Sequence, residues 1–532
     1  MNTYQLQLFS CLAACTLALP PCSLWAQAPG TLDTSFGNDG IVLTMLDPAA
    51  DEQFISSVAL QADGKILLGG TIVTSDRYAL VRYHANGTPD STFGGAGGMV
   101  SRELPASYSP GIFAINPLTN GEIITCGDVI RDNSYYDHLF MCFLPDGNPK
   151  TSFGQNGVSI LNWSLSDDYM VDAAVRPDGT LLGAGGISER GGEEEWGLKA
   201  AVIRCLADGS RDPSFGHDGA LTLHPTSGMS VAEAIALQPD GKPVIAGPAW
   251  RTLGAFDFPQ AFIARCTSDG ALDATFGNGG MVMIPSPEET YAHPTDLLIL
   301  PDGKIMLCGI QDDGLWMARF LANGDHDTSF GASNGEIIIS IPNFFVDSSP
   351  QIALLPDGGF LSAAGLWREP EIYRLLLLRL HPDGTLDSTF GAPHGYVIHN
   401  PAGPGYGFAF ADMAMQPDGR VVVAGNRNSA EDPEVSGSIL ARYYVLRQQQ
   451  TATPVPPEVF ISFADNTISL LVDGTGSKGW TYEVQRSPDL GATLWTVVHT
   501  HGPLAADGPA SFSFSDPATP APVFYRVVLR AP

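Results

Sequence analysis

Carboxylates are the side chains of this sequence most able to do chemistry. Short acidic runs occur at Asp167–Asp168 and Glu193–Glu195. Two carboxyl groups at a suitable separation can cleave a glycosidic bond, one acting as the acid and the other as base or nucleophile. However, 57 of the 532 residues are acidic, so neighbouring carboxylates arise from composition alone. The acidic runs therefore leave polysaccharide chemistry open without indicating it.

The histidines and glycines form none of the common catalytic or metal-binding motifs. No Gly-x-Ser-x-Gly nucleophile elbow is present, and no glycine-rich phosphate loop leads into a helix. The acidic residues lack the Asp-x-Asp-x-Asp-Gly order of a calcium loop. Five histidines lie in or beside predicted turns, without the i, i+4 spacing of a helical zinc site: His84, His217, His326, His381 and His394. We therefore expect no metal and no cofactor, and a non-catalytic protein more than an enzyme.

Aromatic residues suit a binding role better than a catalytic one. Tryptophan and tyrosine combine a large apolar surface with a hydrogen-bonding tip, which suits sugars and protein partners. The candidates for ligand binding lie in irregular segments between predicted strands: Tyr135, Tyr136, Trp196, Trp250, Trp316 and Trp367. The alternative is that each ring packs against strand ends as part of the fold, and for any single residue this is the simpler interpretation.

The chain that must position these residues is built from repeats. Variants of the phrase Leu-Asp-x-Ser/Thr-Phe-Gly occur seven times at intervals of 54 to 62 residues, with phenylalanines at Phe36, Phe93, Phe153, Phe215, Phe276, Phe330 and Phe390. A second marker, an Asp-Gly or Asn-Gly turn, also occurs once in each repeat. Such regular self-similarity indicates units that bury their apolar faces only against one another.

Each repeat contains four short apolar runs bounded by turn residues. In the first repeat these are Gly40–Leu43, Ile55–Leu60, Lys65–Gly69 and Ala79–Tyr83. Runs of this length, rich in β-branched and aromatic residues and separated by Asp-Gly and Asn-Gly, are typical of antiparallel strands. No segment shows sustained helical spacing. Four strands in each of seven repeats predict an all-β fold, a seven-bladed β-propeller of four-stranded blades.

Both repeated phrases, in the same order in every unit from about Gly30 to Tyr443, give the chain a family resemblance. It resembles the delta-60 repeat β-propeller family of secreted bacterial proteins. The resemblance implies a propeller outside the cell. It brings no set of catalytic residues with it.

Arginine and aspartate recur eight residues apart, across the turn that follows the fourth strand. The pairs are Arg82 and Asp90, Arg204 and Asp212, Arg265 and Asp273, Arg319 and Asp327, and Arg379 and Asp387. In the second repeat both members are replaced, by Cys142 and Lys150. Joint replacement indicates an ion pair, because losing one member of a partly buried pair is costly. Asp33 and Arg442 are left over, and we predict that they pair and close the ring. The alternative is that each charge is solvated separately.

Strand parity divides the connections between two faces of the propeller. Connections alternate between the two ends of an antiparallel sheet, so the Asp-Gly turns and the Phe-Gly phrases share one face. We call this the phrase face. The connections of variable length, including all six aromatic candidates, share the opposite or variable face. Loops on a rigid scaffold are common binding sites. We therefore expect a secreted or cell-surface adhesion protein that presents the variable face to a glycan or protein ligand. A polysaccharide-active enzyme using this face or the central channel, and a structural spacer, are the alternatives.

The two ends of the sequence differ from the repeats. Residues 1–26 contain no charged side chain and include an apolar stretch, which is typical of a secretory signal peptide. The segment before Cys15 also resembles a lipoprotein processing site. We assign 27–447 to the propeller and 448–457, with three prolines, to a linker. Residues 458–532 are predicted to form a β-sandwich that resembles a small fibronectin type III domain.

Charge and cysteine content limit the partners. A formal net charge of −30 disfavours nucleic acid and anionic membrane surfaces, and we expect no membrane insertion once the signal peptide is removed. Five cysteines remain after that removal, an odd number placed in different repeats, which favours free thiols over disulfides. We expect an exported bacterial protein that is a monomer.

Overall fold

The computed structural model describes most of the repeats and parts of the C-terminal segment. The described residues are 28–50, 52–95, 97–104, 109–131, 135–164, 166–189, 197–253, 256–284, 290–331, 334–347, 349–370, 372–429, 437–446, 458–464, 467–476, 481–487, 496–501, 508–517 and 524–530. The predicted signal peptide with Cys15, the predicted linker and Trp196 lie outside these residues. Gln27–Leu446 forms one compact unit and residues 447–532 belong to a second.

The larger unit is a seven-bladed β-propeller, as the repeat content predicts. Strands are numbered in chain order, and β1 (Ile41–Thr44) belongs to the last blade. Blade 1 contains β2 (Gln53–Leu60), β3 (Ile66–Ile72), β4 (Arg77–Tyr83) and β5 (Met99–Glu103). Blade 2 contains β6 (Ser109–Pro110), β7 (Ala114–Pro117), β8 (Ile123–Arg131), β9 (Tyr135–Phe143) and β10 (Val158–Leu161). Blade 3 contains β11 (Asp168–Val175), β12 (Leu181–Ser188), β13 (Leu198–Cys205) and β14 (Ala220–Thr222).

The remaining blades repeat this antiparallel order. Blade 4 contains β15 (Ala234–Leu237), β16 (Pro243–Leu253), β17 (Phe256–Arg265) and β18 (Met281–Ile284). Blade 5 contains β19 (Ala292–Ile299), β20 (Ile305–Gln311), β21 (Gly314–Phe320) and β22 (Glu336–Ile339). Blade 6 contains β23 (Phe345–Val346), β24 (Gln351–Leu354), β25 (Phe360–Arg368), β26 (Ile372–Leu380) and β27 (Tyr396–His399). Blade 7 contains β28 (Tyr406–Met415), β29 (Arg420–Ser429), β30 (Gly437–Tyr444) and β1.

The inner strands close the ring around a central channel. Each contacts the inner strand of the next blade, in the cycle β2, β7, β11, β15, β19, β24, β28 and back to β2. These inner strands therefore line the channel. The prediction of a seven-bladed propeller is confirmed, and the one helical segment of the described residues is a single 3₁₀ turn at Val73–Ser75.

Repeat and blade are out of phase by one strand. The first apolar run of each repeat becomes the outer strand of the preceding blade, so β1 pairs with β30, with Ile41 opposite Ala441. A further bridge joins Leu32 to Tyr443. Backbone hydrogen bonds between the two ends of the propeller therefore hold the ring closed.

The core lies between neighbouring blades. The seven repeat phenylalanines are almost completely buried, and Phe330 packs between Met317 of blade 5 and Phe360 of blade 6. Small residues in the third run of each repeat allow this close approach. A Cβ atom added at Gly69 would lie 2.7 Å from Cγ2 of Ile112 in the next blade. All five described cysteines are buried free thiols, which pack as small apolar residues of the core.

The second unit contains two three-stranded antiparallel sheets. One has the order β31 (Glu458–Ala464), β32 (Thr467–Gly476) and β35 (Gly508–Pro517). The other has the order β34 (Thr496–His501), β33 (Thr481–Ser487) and β36 (Phe524–Arg530). The residues placed by the structure include no helix with the length and apolar character needed to cross a bilayer.

Candidate functional site

The predicted arginine–aspartate pairs form a repeated latch on the phrase face. The structure brings together both members of all six pairs, with N to O distances of 2.6 to 3.0 Å. In blade 1, Arg82 and Asp90 are almost completely buried. Burial alone would raise the pKa of Asp90, but hydrogen bonds from Thr92 and the charges of Arg82 and Lys65 outweigh it and hold the pKa well below its usual range.

In five of the six latches the arginine also joins its blade to the next. The guanidinium of Arg82 stacks on Phe93 at 4.4 Å and donates a 2.6 Å hydrogen bond to the carbonyl of Pro145 in blade 2. Arg265 and Arg319 make equivalent contacts. Each stacks on the phenylalanine of its own phrase and donates to a carbonyl of the next blade, that of Ala322 in blade 5 and that of Pro382 in blade 6. Stacking, ion pairing and the carbonyl contact occupy the guanidinium fully. These arginines therefore hold the ring together and are not available to a ligand.

Blade 2 contains the same latch with its charges reversed. The Asp position holds Lys150, whose Nζ lies 2.9 Å from Oε1 of Glu122. Glu122 directly follows the turn glycine, at the position of Lys65 in blade 1, and Lys65 lies 3.4 Å from Asp90. Sequence reasoning identified the replaced aspartate but missed this second partner. The sequence could have shown it, because lysine follows the turn glycine in several repeats that keep the aspartate, whereas Glu122 follows it in the repeat with Lys150.

The six aromatic candidates do not form one site. Tyr135 is 44% exposed, while Tyr136, Trp250 and Trp367 are half-buried in three different blades. Trp367 lies against the exposed ring of Phe345, with a centroid distance of 5.5 Å.

Trp316 is a correction to the sequence analysis. Its exposure is 0%, and its Nε1 donates to Oε2 of Glu336 at 3.1 Å. It lies inside β21, which begins at Gly314 directly after a two-residue turn, so Trp316 pairs with Gly309 within the sheet. It is a core residue and cannot contact a ligand.

One cleft does open where the variable face meets the channel, and we call it the mouth cleft. Its volume is about 400 Å³, and it is lined by Phe113, Asp128, Tyr136, Tyr169, Met170, Val171, Val231 and Glu233. Phe113, Tyr169 and Glu233 lie beside or at the start of inner strands, where the variable connections enter blades 2, 3 and 4. The rings of Tyr136 and Tyr169 pack at 4.8 Å. Of the five candidates that the structure describes, only Tyr136 lines this cleft.

The mouth cleft is acidic, and its Asp128 side chain is buried. Asp128 is 6% exposed, and burial raises its pKa to about 7. Burial and the nearby Asp167, Tyr136 and Asp128 raise the pKa of Tyr169 to about 12. No lysine or arginine lines the cleft within the described ranges.

A hydrogen-bonded chain continues from the cleft along its blade 4 wall. Oε1 of Glu233 lies 3.4 Å from Nε2 of His293, and Nδ1 of that ring lies 2.7 Å from the hydroxyl of Tyr291. This chain holds the Glu233 carboxylate in place at the edge of the cleft.

Three further carboxylates lie in the channel, seven residues before a turn glycine: Asp172, Asp296 and Asp412. Each accepts two backbone N–H groups, one from its own strand and one from the next blade. Oδ2 of Asp412, for example, accepts from the N–H of Val58 at 2.8 Å, which joins blade 7 to blade 1. Burial raises the pKa of Asp172 to about 6 and that of Asp412 to about 7. Sequence analysis missed this column, although its fixed offset was visible.

The channel aspartates connect blades and do not assemble a metal centre. Within the described part of the chain, no three His, Cys, Asp or Glu residues lie close enough together to hold a metal ion. A second cavity of about 700 Å³ lies between blades 5 and 6 on the phrase face. Its cationic groups Lys304 and Arg319 are already bound to Asp327. The mouth cleft is therefore the best candidate site.

A comparison with protein families agrees with this architecture. A family model described as a "Domain of unknown function (DUF5122) beta-propeller" matches residues 61–93, 238–276 and 372–390. Each matched segment ends at the phenylalanine of a repeat phrase, namely Phe93, Phe276 and Phe390. The description of the family agrees with the fold of this chain, a seven-bladed β-propeller. No curated protein matches this propeller protein.

Solved structures similar to this propeller protein are distant. An α-L-arabinanase of Penicillium chrysogenum, complexed with arabinobiose, is 10% identical over 75% of this chain and 96% of its own, with a TM-score of 0.35. A polysaccharide lyase, an ulvan lyase, is 9% identical over 84% and 92%, with a TM-score of 0.23. A GH43_12 protein retrieved from capybara gut metagenome is 9% identical over 95% and 94%, with a TM-score of 0.25. Likeness at this level does not extend to activity.

Proposed function

We propose that this propeller is a secreted or cell-surface binding protein that captures a glycan or protein ligand in the mouth cleft. The observation that carries this proposal is the cleft itself, which combines three aromatic rings and two carboxylates. Its volume of about 400 Å³ is in the range of small-molecule sites. Phe113, Tyr136 and Tyr169 supply flat apolar surface, and Asp128 and Glu233 supply hydrogen-bond acceptors.

The surrounding structure supports binding by a preformed site. The carboxylate of Asp167 accepts the backbone N–H of Tyr136 at 3.2 Å, which ties blade 2 to the start of blade 3. Oδ2 of Asp172 accepts the N–H of Ile235 at 3.0 Å, which ties blade 3 to blade 4. The three blades that form the cleft are thus fixed relative to one another. A rigid site loses little conformational entropy when its ligand binds.

The test is a glycan array followed by calorimetry, using the chain from residue 27 to its end. Tyr169→Ala should weaken binding of any ligand found by about tenfold or more, because a stacking ring is lost. Phe345→Ala is the matched control, since Phe345 is 42% exposed on blade 6, away from the cleft. Equal affinity of Tyr169→Ala and wild type would show that the ligand binds elsewhere.

A second candidate function is cleavage of a polysaccharide in the same cleft. It is favoured by Asp128, whose pKa of about 7 suits a general acid, and by the second carboxylate, Glu233, in the same cavity. Release of reducing sugar from a bound glycan, abolished in Asp128→Asn, would establish the enzyme. Binding without any release would leave the non-catalytic role in place.

Export through residues 1–26 is part of this proposal, as is relationship to the delta-60 repeat proteins. A fibronectin type III-like C-terminal module would act as a spacer or contact domain. N-terminal sequencing of the exported protein tests the first point. A start near Gln27 supports the signal peptide, and a lipid-modified start at Cys15 would indicate a lipoprotein instead.

A further inference from the structure

Asp128 has an unusual position for a carboxylate. It is 6% exposed and lines the mouth cleft. Its carboxylate accepts a hydrogen bond from its own backbone N–H, but no described side chain donates to it or forms an ion pair with it. The described charged and titratable groups around it are Glu233, Tyr136, Tyr169 and, one layer behind, Asp167, together with His138, which lies opposite Asp128 on β9. Burial lowers the pKa of His138, so none of these groups is a cation near neutral pH. A buried carboxylate without a compensating positive charge is expensive to ionise.

The rest of the cleft supplies the other half of a cation site. The ring of Phe113 and the packed rings of Tyr136 and Tyr169 surround the same cavity as Asp128. The face of an aromatic ring attracts an organic cation through its quadrupole, most strongly where water is excluded. Carboxylates and aromatic faces lining one cavity are complementary to a positively charged group that also has apolar surface.

We propose that the mouth cleft recognises an organic ammonium group, held among these three rings and against Asp128 and Glu233. This inference rests on the function proposed above and specifies the part of the ligand that the cleft reads. An ammonium group occurs in two kinds of ligand, a glycan that contains unacetylated amino sugars and a protein that exposes lysine. Their shared chemistry is what the cleft selects.

A neutral sugar fits the cleft less well than an ammonium group. A neutral ligand leaves Asp128 either protonated or ionised without a counter-charge, whereas an ammonium group pairs with the ionised form. The formal net charge of −30 also creates a potential that attracts cations toward the surface. The local and the overall electrostatics therefore favour the same class of ligand.

The experiment compares ligands that differ in one charge. Binding of glucosamine hexamer, its fully N-acetylated counterpart, a lysine-containing peptide and tetramethylammonium is measured by calorimetry at pH 8. We expect at least one primary-amine ligand to bind about tenfold or more tightly than the N-acetylated hexamer. The tighter of the hexamer and the peptide identifies the source of the ammonium group. Tetramethylammonium is expected to bind weakly and to compete with the tighter ligand.

Variants locate the effect within the cleft. Asp128→Asn should weaken amine binding about tenfold and leave the affinity for the N-acetylated hexamer unchanged. The control is Asp39→Asn, which removes one exposed charge at a left-handed position that asparagine tolerates. Thermal unfolding verifies that both variants fold.

Two outcomes would overturn the inference in distinguishable ways. If amine and N-acetylated ligands bind equally and only Tyr169→Ala weakens them, the cleft binds by stacking and the proposed function stands without the cation. If no ligand binds and the glycan array is empty as well, the proposed function fails together with the inference.

The pH dependence gives an independent readout. Tetramethylammonium keeps its charge at every pH, so its affinity reports on the cleft alone. Because it binds ionised Asp128, its affinity should rise from pH 6 to pH 8 and then level off. The rise should be absent in Asp128→Asn. A flat profile for the wild type would contradict the role of Asp128.

Discussion

The carboxylate of Asp33 lies 2.8 Å from Nε of Arg442, a residue 409 positions later in the chain. The same carboxylate accepts hydrogen bonds from Arg420 at 2.6 Å and from the hydroxyl of Tyr444 at 2.9 Å. Hydrogen bonds from Ser35 and these donors overcome the effect of burial and keep the pKa of Asp33 well below its usual range. One side chain thus fixes the N-terminal strand to the last blade at the point where the ring closes.

Asp33→Asn should destabilise the propeller at the point where the ring closes. It leaves the buried Arg442 without a counter-ion, while Arg420 keeps Asp418, and an unpaired buried charge costs about 3 kcal/mol or more. Urea unfolding followed by tryptophan fluorescence measures the change. Asp39→Asn is the control, because it removes a nearby exposed charge. If both variants unfold at the same urea concentration, the ring is held by β1 alone and the ion pair adds nothing.

The reversed latch of blade 2 allows a double-mutant cycle. Glu122→Lys places a second lysine against Lys150 and should lower stability, and adding Lys150→Asp should restore it by recreating the Lys65–Asp90 arrangement of blade 1. Lys150 and Glu122 are 30% and 17% exposed, so the coupling free energy should be about 1 kcal/mol. Additive effects in urea titrations would show that the two charges act independently.

Repetition explains how much of this structure the sequence could predict. A contact that recurs every 60 residues or so, such as Arg82 with Asp90, appears six times and is replaced in both partners once, and both patterns are visible in one sequence. The mouth cleft occurs once. Asp128, Tyr169 and Glu233 come from blades 2, 3 and 4 and follow no repeated spacing, so only the packing of neighbouring blades brings them together. Blade geometry, not local sequence, creates the site.

The error at Trp316 has a related cause. Hairpin length varies on the variable face, and the sequence does not show where a strand begins within an aromatic and apolar run. The structure starts β21 at Gly314, which pairs Trp316 with Gly309 in the middle of a blade. A tryptophan at this register is covered by the neighbouring blade and packs with residues such as Phe320.

Truncating two tryptophans should distinguish core from surface. Trp316→Ala removes a fully buried side chain and should cost about 3 to 5 kcal/mol. Trp367→Ala removes a half-buried ring at the end of β25 and should cost about 1 kcal/mol. Urea unfolding of the two variants provides the measurement. Similar losses would mean that Trp316 is not the core residue described above.

Asp128→Asn should stabilise the propeller even though we expect it to weaken amine binding. The pKa of Asp128 is about 7 in the folded state and 3.8 as its ordinary value, so the unfolded chain loses this proton at lower pH than the folded protein does. The Asp128 carboxyl group therefore lowers the stability of the wild type as pH rises from about 4 to 7. Asparagine does not ionise, so the stability advantage of the variant should grow across this interval and then stay constant.

Because the Asp128 side chain is buried but lies beside solvent in the cleft, we expect the variant to gain stability on the order of 1 kcal/mol at pH 8. Urea titrations at pH 4.5, 6 and 8 measure it, with Asp39→Asn as the control. A variant less stable than wild type at pH 8 would show that Asp128 serves the fold, whereas a gain in stability with a loss of binding is what a residue retained for its ligand produces.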